Sequence, residues 1–120
     1  MPALATSALN YLHETLGIST SRHEPWAGLE RLPYFLRDAF DFWQLDILGH
    51  NVLLALERNP DKPSIGDIRN RLDKLRSVAG QPVVYVTQAL ASYERKRLIE
   101  QKVPFVVPGN QLYLPDLGLD

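Results

Sequence analysis

The sequence predicts an α/β fold, in which a mixed β-sheet contains a β-hairpin followed by β-α-β units, with helices packed on it. Two apolar runs, at 40–48 and 51–57, are separated by turn residues and indicate the hairpin. An amphipathic helix then leads into a β-branched run at 83–86, and a second helix leads into another at 105–107. A strand, a helix and a strand in succession form a β-α-β unit, whose crossover should be right-handed.

Length and composition favour one domain over 1–120. The chain has 120 residues and 45% hydrophobic content, enough for one core. It has no cysteine, so a disulfide framework and thiolate chemistry are excluded. No signal-like segment is evident, and apolar runs such as 52–56 fall far short of the roughly 20 residues of a bilayer span. We therefore expect a cytoplasmic protein without a membrane partner.

The N-terminal segment reads as a helix followed by a loop. Leucines spaced by three and four positions form an amphipathic stripe: Leu9, Leu12 and Leu16. Thr6 or Ser7 is the expected N-cap, and Gly17 ends the helix. Residues 18–33 show no regular spacing of apolar side chains and predict an ordered loop. Trp26 and Leu29 should pack against the rest of the domain.

The hairpin follows a short helical turn at 33–38. Three apolar side chains should share one face of strand 40–48: Trp43, Leu45 and Ile47. Residues 49–51 carry turn chemistry, and Asn51 tolerates a left-handed backbone. Strand 51–57 has an unbroken apolar core, which predicts burial on both faces.

The clearest helix begins after Ser64. Ser64 is a hydroxyl N-cap and Asp67 an acidic residue in the first turn. The apolar stripe comprises Ile65, Ile68, Leu72, Leu75 and Val78. Gly80 ends the helix, and the run 82–86 then predicts an interior parallel strand.

The C-terminal part predicts a helix at about 90–102, a strand at 105–107 and a type II turn at 107–110. Residues 111–114 should pair back or lie along the edge until Pro115. An exposed edge over 105–114 would allow strand addition and hence a homodimer.

Charge is unevenly distributed. Segment 1–57 has three Lys or Arg against seven Asp or Glu, 58–102 has ten against five, and 103–120 has none against two. A basic surface for DNA or another acidic partner is therefore expected. Its predicted residues are Arg95, Lys96, Arg97 and Lys102, together with Arg69 and Arg76.

A nuclease-like reading is the enzymatic alternative. The order helix, hairpin, helix and strand is similar to a restriction-endonuclease-like core, and Asp46 and Glu57 fall on the two hairpin strands. Such carboxylates would hold Mg²⁺. Arg58 and Asn59 follow Glu57, so the lysine expected two positions later is missing. Phosphate-loop, dinucleotide, serine-hydrolase and zinc motifs are missing too, and we expect no enzyme activity, no metal and no cofactor.

A winged-helix reading is also open. The basic helix precedes a wing-like tip at Pro108 and Gly109. However, the run 83–86 indicates a strand where a helix-turn-helix needs a tight turn.

The block SYERKRLIEQKVPF, continuing into VVPGNQLYLPDLG, resembles the N-terminal region of bacterial two-domain regulators of the MarR or winged-helix type. LPYFLRDAF and LDILG upstream are similar too, so the resemblance spans 32–120. It implies that the chain is the N-terminal regulatory or interaction module of a DNA-binding transcriptional regulator. In that family the helix-turn-helix domain follows the LYLPDLG-like segment, so the main DNA-reading element would lie beyond position 120.

Overall fold

A computed structural model describes residues 3–17, 24–59, 61 and 63–115, and the expectations for 18–23 lie outside this part. The helices are α1 (Ala3–Leu16), α2 (Tyr34–Ala39), α3 (Ile65–Ala79) and α4 (Ser92–Glu100), with a 3₁₀ turn at Leu29–Arg31. The strands are β1 (Glu24–Pro25), β2 (Phe40–Ile47), β3 (His50–Glu57), β4 (Val83–Val86), β5 (Phe105–Val107) and β6 (Gln111–Tyr113).

The strands form one six-stranded sheet in chain order. Strands β1, β2 and β3 are antiparallel neighbours, β3, β4 and β5 are parallel, and β6 returns antiparallel to β5. Helices α3 and α4 are the connections that parallel pairing requires. The predicted α/β fold with a mixed sheet, a hairpin and β-α-β units is confirmed.

The core has two layers, one on each face of the sheet. Helices α2, α3 and α4 bury their apolar side chains on one face. Helix α1 covers the other face through Ala5, Ala8, Leu9 and Leu12. Strand β3 is buried on both faces, since Leu53 and Ala55 point to the first layer and Leu54 and Leu56 to the second. This double burial explains its unbroken apolar run.

Helix α3 has the predicted ends. The Ser64 hydroxyl accepts a hydrogen bond from the Asp67 amide at 3.2 Å. Gly80 has φ +67°, a left-handed conformation that glycine adopts at little cost. The stripe Ile65, Ile68, Leu72 and Leu75 is buried. Helix α4 is shorter than predicted, because it begins at Ser92 and ends at Glu100.

Two local predictions were wrong in the first half of the chain. Helix α1 already begins at Ala3, so Thr6 and Ser7 lie inside it and neither is its N-cap. Leu29 is 41% exposed rather than tucked against the body, although Trp26 is buried as expected.

The hairpin turn was also misplaced. Its two central residues are Leu48 and Gly49, with φ +51° and +85°. Positive φ at both positions defines a type I′ turn, whose twist matches that of the flanking strands. His50 therefore belongs to β3, and Asn51 lies in the strand opposite Asp46.

The C-terminal hairpin has the predicted turn, because the Asn110 amide donates to the Val107 carbonyl at 3.0 Å and Gly109 has φ +76°. The expected open edge over 105–114 needs correction. Strand β5 lies between β4 and β6, so within 105–114 only β6 is an edge strand. No helix of the described residues is long and apolar enough to cross a membrane.

Candidate functional site

The predicted basic residues lie on α3 and α4, with Lys102 in the turn that follows α4. The two helices pack side by side on one face of the sheet. Leu72 and Leu75 of α3 and Leu98 of α4 point into the core. Five of the predicted cations are exposed and Arg95 is half-buried; the exposed ones are Arg69, Arg76, Lys96, Arg97 and Lys102. Lys74 adds a further exposed cation.

The acidic side chains of this layer are fewer. Segment 64–102 holds eight Lys or Arg against four Asp or Glu, a net charge of +4. Asp67 lies in the first turn of α3, where the helix dipole favours a carboxylate. Asp73 pairs with Arg69 at 3.8 Å on the exposed surface, and Glu94 accepts from the Ala91 amide at 2.8 Å. The net charge of the whole chain is −1, so the rest of it carries −5.

Helix α4 is a sheet-covering helix. It is joined to α3 through β4, whose side chains are all buried, so these two helices form no helix-turn-helix. Residues 83–86 therefore form the predicted strand and not the tight turn that a helix-turn-helix needs. Tyr93 and Lys96 lie on the outer side of α4, opposite Leu98.

Asp46 and Glu57 do not form a common site. Asp46 lies opposite Asn51, and Glu57 lies six positions further along β3, opposite Phe40. At the rise of a strand this separation is about 20 Å. The Asp46 Oδ1 instead accepts from the Gly49 amide at 2.9 Å and supports the turn. Among the described residues no group of three metal-binding side chains is found.

Glu57 has a different partner, which the sequence did not reveal. The Tyr85 hydroxyl donates to Glu57 Oε1 at 2.8 Å, and the Asn59 amide donates to Glu57 Oε2 at 3.3 Å. Tyr85 is fully buried. Burial raises the pKa of Tyr85 far above its usual range, and the negative charge of Glu57 raises it further. Tyr85 therefore stays protonated and holds the carboxylate in place.

Two open clefts meet at the carboxyl end of β3. The first, here called the α2–α3 cleft, has a volume of about 520 Å³. It is lined by Phe35, Asp38, Ala39, Glu57, Arg58, Asn59 and Arg71. The second, here called the β3–β4 cleft, has about 330 Å³. It is lined by Leu4, Glu57, Arg58, Asn59, Thr87, Gln88 and Ala89.

Residues 57–59 line both clefts and form the wall between them. Glu57 ends a strand that is parallel to β4, so the wall lies at the carboxyl ends of two parallel strands. Sequence patterns could not find this site, because α2, β3 and α3 contribute to it from separate parts of the chain.

Comparisons with protein-family models, with curated proteins and with solved structures gave no match for this chain. The resemblance to MarR-type regulators therefore stays a sequence-based prediction.

Proposed function

We propose that this chain is the regulatory or interaction module of a cytoplasmic DNA-binding transcriptional regulator, and that the outer surface of α3 and α4 contacts the nucleic acid. The observation that carries the proposal is the charge of this layer, +4 over 64–102 in a chain whose remainder is negative. The resemblance of 32–120 to such regulators supports the same class of protein.

A uniform phosphate backbone fits this surface better than a specific base sequence. Phosphate contacts require exposed Lys and Arg side chains and release counterions, whereas reading bases requires a helix or strand that enters a groove. The nine residues of α4 lie along the sheet, with Leu98 buried beneath them. This surface therefore suits backbone contacts that position a protein on DNA, and sequence reading would belong to another domain.

The uneven distribution of charge would also orient the molecule relative to the DNA. With the excess positive charge in one layer and the excess negative charge elsewhere, a polyanion is attracted to the α3–α4 surface and repelled from the remaining surface. Helix α1 covers the opposite face of the sheet, which provides a natural place for control substitutions.

The test is binding of a fluorescently labelled DNA duplex, followed by anisotropy at salt concentrations from about 50 to about 200 mM. The affinity of the wild-type chain should fall steeply with salt. The combined substitution Lys74→Gln, Lys96→Gln and Arg97→Gln removes three exposed cations and should both weaken binding and reduce the salt dependence.

The control places three negative charges on exposed positions of α1, through Ser7→Glu, Asn10→Glu and Thr15→Glu. It changes the net charge by the same amount on the opposite face. Stronger loss in the α3–α4 variant than in the control supports the proposal. Equal losses would show only a net-charge effect, and no duplex binding by the wild-type chain at low salt would refute it.

A further inference from the structure

The α2–α3 cleft has features that the basic outer surface does not explain. Its volume of about 520 Å³ lies within the usual range of small-molecule sites, about 300 to 1,000 Å³. Phe35 lines it with a side chain that is 59% exposed. An exposed phenyl ring contributes little to the core of this fold, and it offers a flat apolar face to a ligand.

Two guanidinium groups line the same cleft. Arg71 of α3 is half-buried, and Arg58 follows β3 directly. Arg58 pairs with Asp41 at 3.7 Å, but about half of each side chain is exposed, so the pair is weak and open to competition. Guanidinium groups bind phosphate through paired N–H donors, which makes Arg58 and Arg71 suitable phosphate ligands.

The remaining polar groups are mostly acceptors. The Glu57 carboxylate is held by Tyr85 and by the Asn59 amide. A carboxylate has about four lone-pair sites, so about two remain for a ligand. Asp38 adds a second carboxylate. The Asn59 side chain adds N–H donors, because its Oδ1 already accepts a hydrogen bond from the Asp61 amide at 3.0 Å. Two carboxylates disfavour a purely anionic ligand and favour one that also carries N–H donors.

We infer that the α2–α3 cleft binds a nucleotide. The base would stack on Phe35, its N–H groups would donate to Glu57 or Asp38, and its phosphate would lie against Arg58 and Arg71. A flat ring, N–H donors and a phosphate on one small ligand match the three kinds of side chain that line the cleft. The inference goes beyond the proposed function, because its residues are separate from the exposed cations of the α3–α4 surface.

The same chemistry can come from a free nucleotide or from an unpaired nucleotide in a single strand. The probes are therefore adenosine and guanosine 5′-monophosphate and a short single-stranded oligodeoxynucleotide. Binding is followed by amide chemical shifts of the isotope-labelled protein, which report the location of the ligand. Shifts centred on 35, 58, 59 and 71 are expected.

Substitutions test the two recognition elements separately. Phe35→Leu removes the stacking face, and Arg71→Gln removes a phosphate ligand. Phe35→Leu should weaken binding by about fivefold or more, the size expected for one lost base stack. Arg71→Gln should also weaken binding, because the phosphate loses a guanidinium partner. Phe35→Trp keeps a stacking face and should retain binding.

The controls are chosen from the same two helices. Tyr34→Leu changes the neighbouring aromatic, which is 76% exposed and does not line the cleft. Arg69→Gln changes an exposed arginine of α3 outside the cleft. Neither should alter binding of the two monophosphate probes at the cleft.

The outcomes discriminate clearly. Shifts of the cleft amides with a monophosphate identify a free nucleotide as the ligand, and shifts of the same amides with the oligonucleotide alone identify an unpaired base in a strand. Failure of all three probes to shift the cleft amides overturns the inference. Equal effects of Phe35→Leu and Tyr34→Leu also overturn it. Duplex binding by the α3–α4 surface should be unchanged in Phe35→Leu, so this inference and the proposed function can fail independently.

Discussion

The hydroxyl of Tyr85 donates a 2.8 Å hydrogen bond to Glu57 Oε1 and so connects β4 to the carboxyl end of β3. The donor is fully buried and the acceptor is half-buried at the wall of both clefts. This bond fixes the carboxylate of the candidate site from the core side.

The substitution Tyr85→Phe removes that bond and leaves the ring in place. Hydrogen bonds to charged groups contribute about 1.5 to 3 kcal/mol, and the Glu57 carboxylate can regain some water in the variant. We expect the free energy of unfolding to fall by about 1 to 2 kcal/mol, measured by urea denaturation. The matched control is Tyr113→Phe in β6, which should change stability by less than about 0.5 kcal/mol. Equal losses in the two variants would contradict a special role for the bond.

The same tyrosine predicts a pH dependence at high pH. The usual pKa of tyrosine is about 10, and burial, followed by Glu57, raises the pKa of Tyr85 well above it. Above a pH of about 10 the unfolded chain loses a proton that the folded chain retains. Stability therefore falls as pH rises, by up to about 1.4 kcal/mol per pH unit for this group.

Below that pH both states hold the proton, and Tyr85 adds no pH dependence. The measurement is the difference in unfolding free energy between the wild-type chain and Tyr85→Phe, at a pH of about 8 and again at about 11. The difference should shrink or change sign at the higher pH. A difference that is the same at both would rule out the predicted linkage.

Ser64→Ala tests the N-cap of α3. The substitution leaves the Asp67 amide without its acceptor and should lower stability by about 1 kcal/mol. Ser77→Ala, at an exposed position within the same helix, is the control and should be neutral or slightly stabilising. Thermal unfolding of both variants provides the measurement.

Leu48→Asn should stabilise the hairpin. Leu48 is 53% exposed and has φ +51°, a conformation that costs roughly 1 to 2 kcal/mol for most residues and less for asparagine. We expect a gain of about 0.5 to 1 kcal/mol and a higher melting temperature. Leu29→Asn makes the same chemical change at an exposed position without positive φ, and it should give no gain.

Elements with consistent local signals could be predicted from the sequence. Helix α3 has a hydroxyl cap at Ser64, a regular apolar stripe and Gly80 at its end, so every signal agreed. Strand β3 was identified because its unbroken apolar run requires two covered faces. The turn was misplaced because Leu48 adopts a backbone conformation that its side chain disfavours, and packing of the two strands outweighs that cost.

The basic surface of α3 and α4 could be predicted from the sequence, but the surroundings of Glu57 could not. The basic residues of α3 and α4 could be found, because charge on amphipathic helices indicates the outer face. The pairing of Asp46 with Glu57 was wrong, because hairpin register places them at opposite ends. The run 82–86 predicts only an interior strand around Tyr85, because its bond to a residue 28 positions earlier depends on tertiary structure.

The two-residue turn at Leu48 and Gly49 also bears on how the chain folds. Strands β2 and β3 pair across the shortest connection in the sheet, whereas β3 and β4 pair only after α3 closes a much longer loop. Short loops close at lower entropic cost, so the hairpin can form early and serve as the template for the parallel strands. Glu57 ends that hairpin and Arg58 follows it directly, whereas Arg71 lies on α3. We therefore expect the α2–α3 cleft to be completed only after α3 has packed.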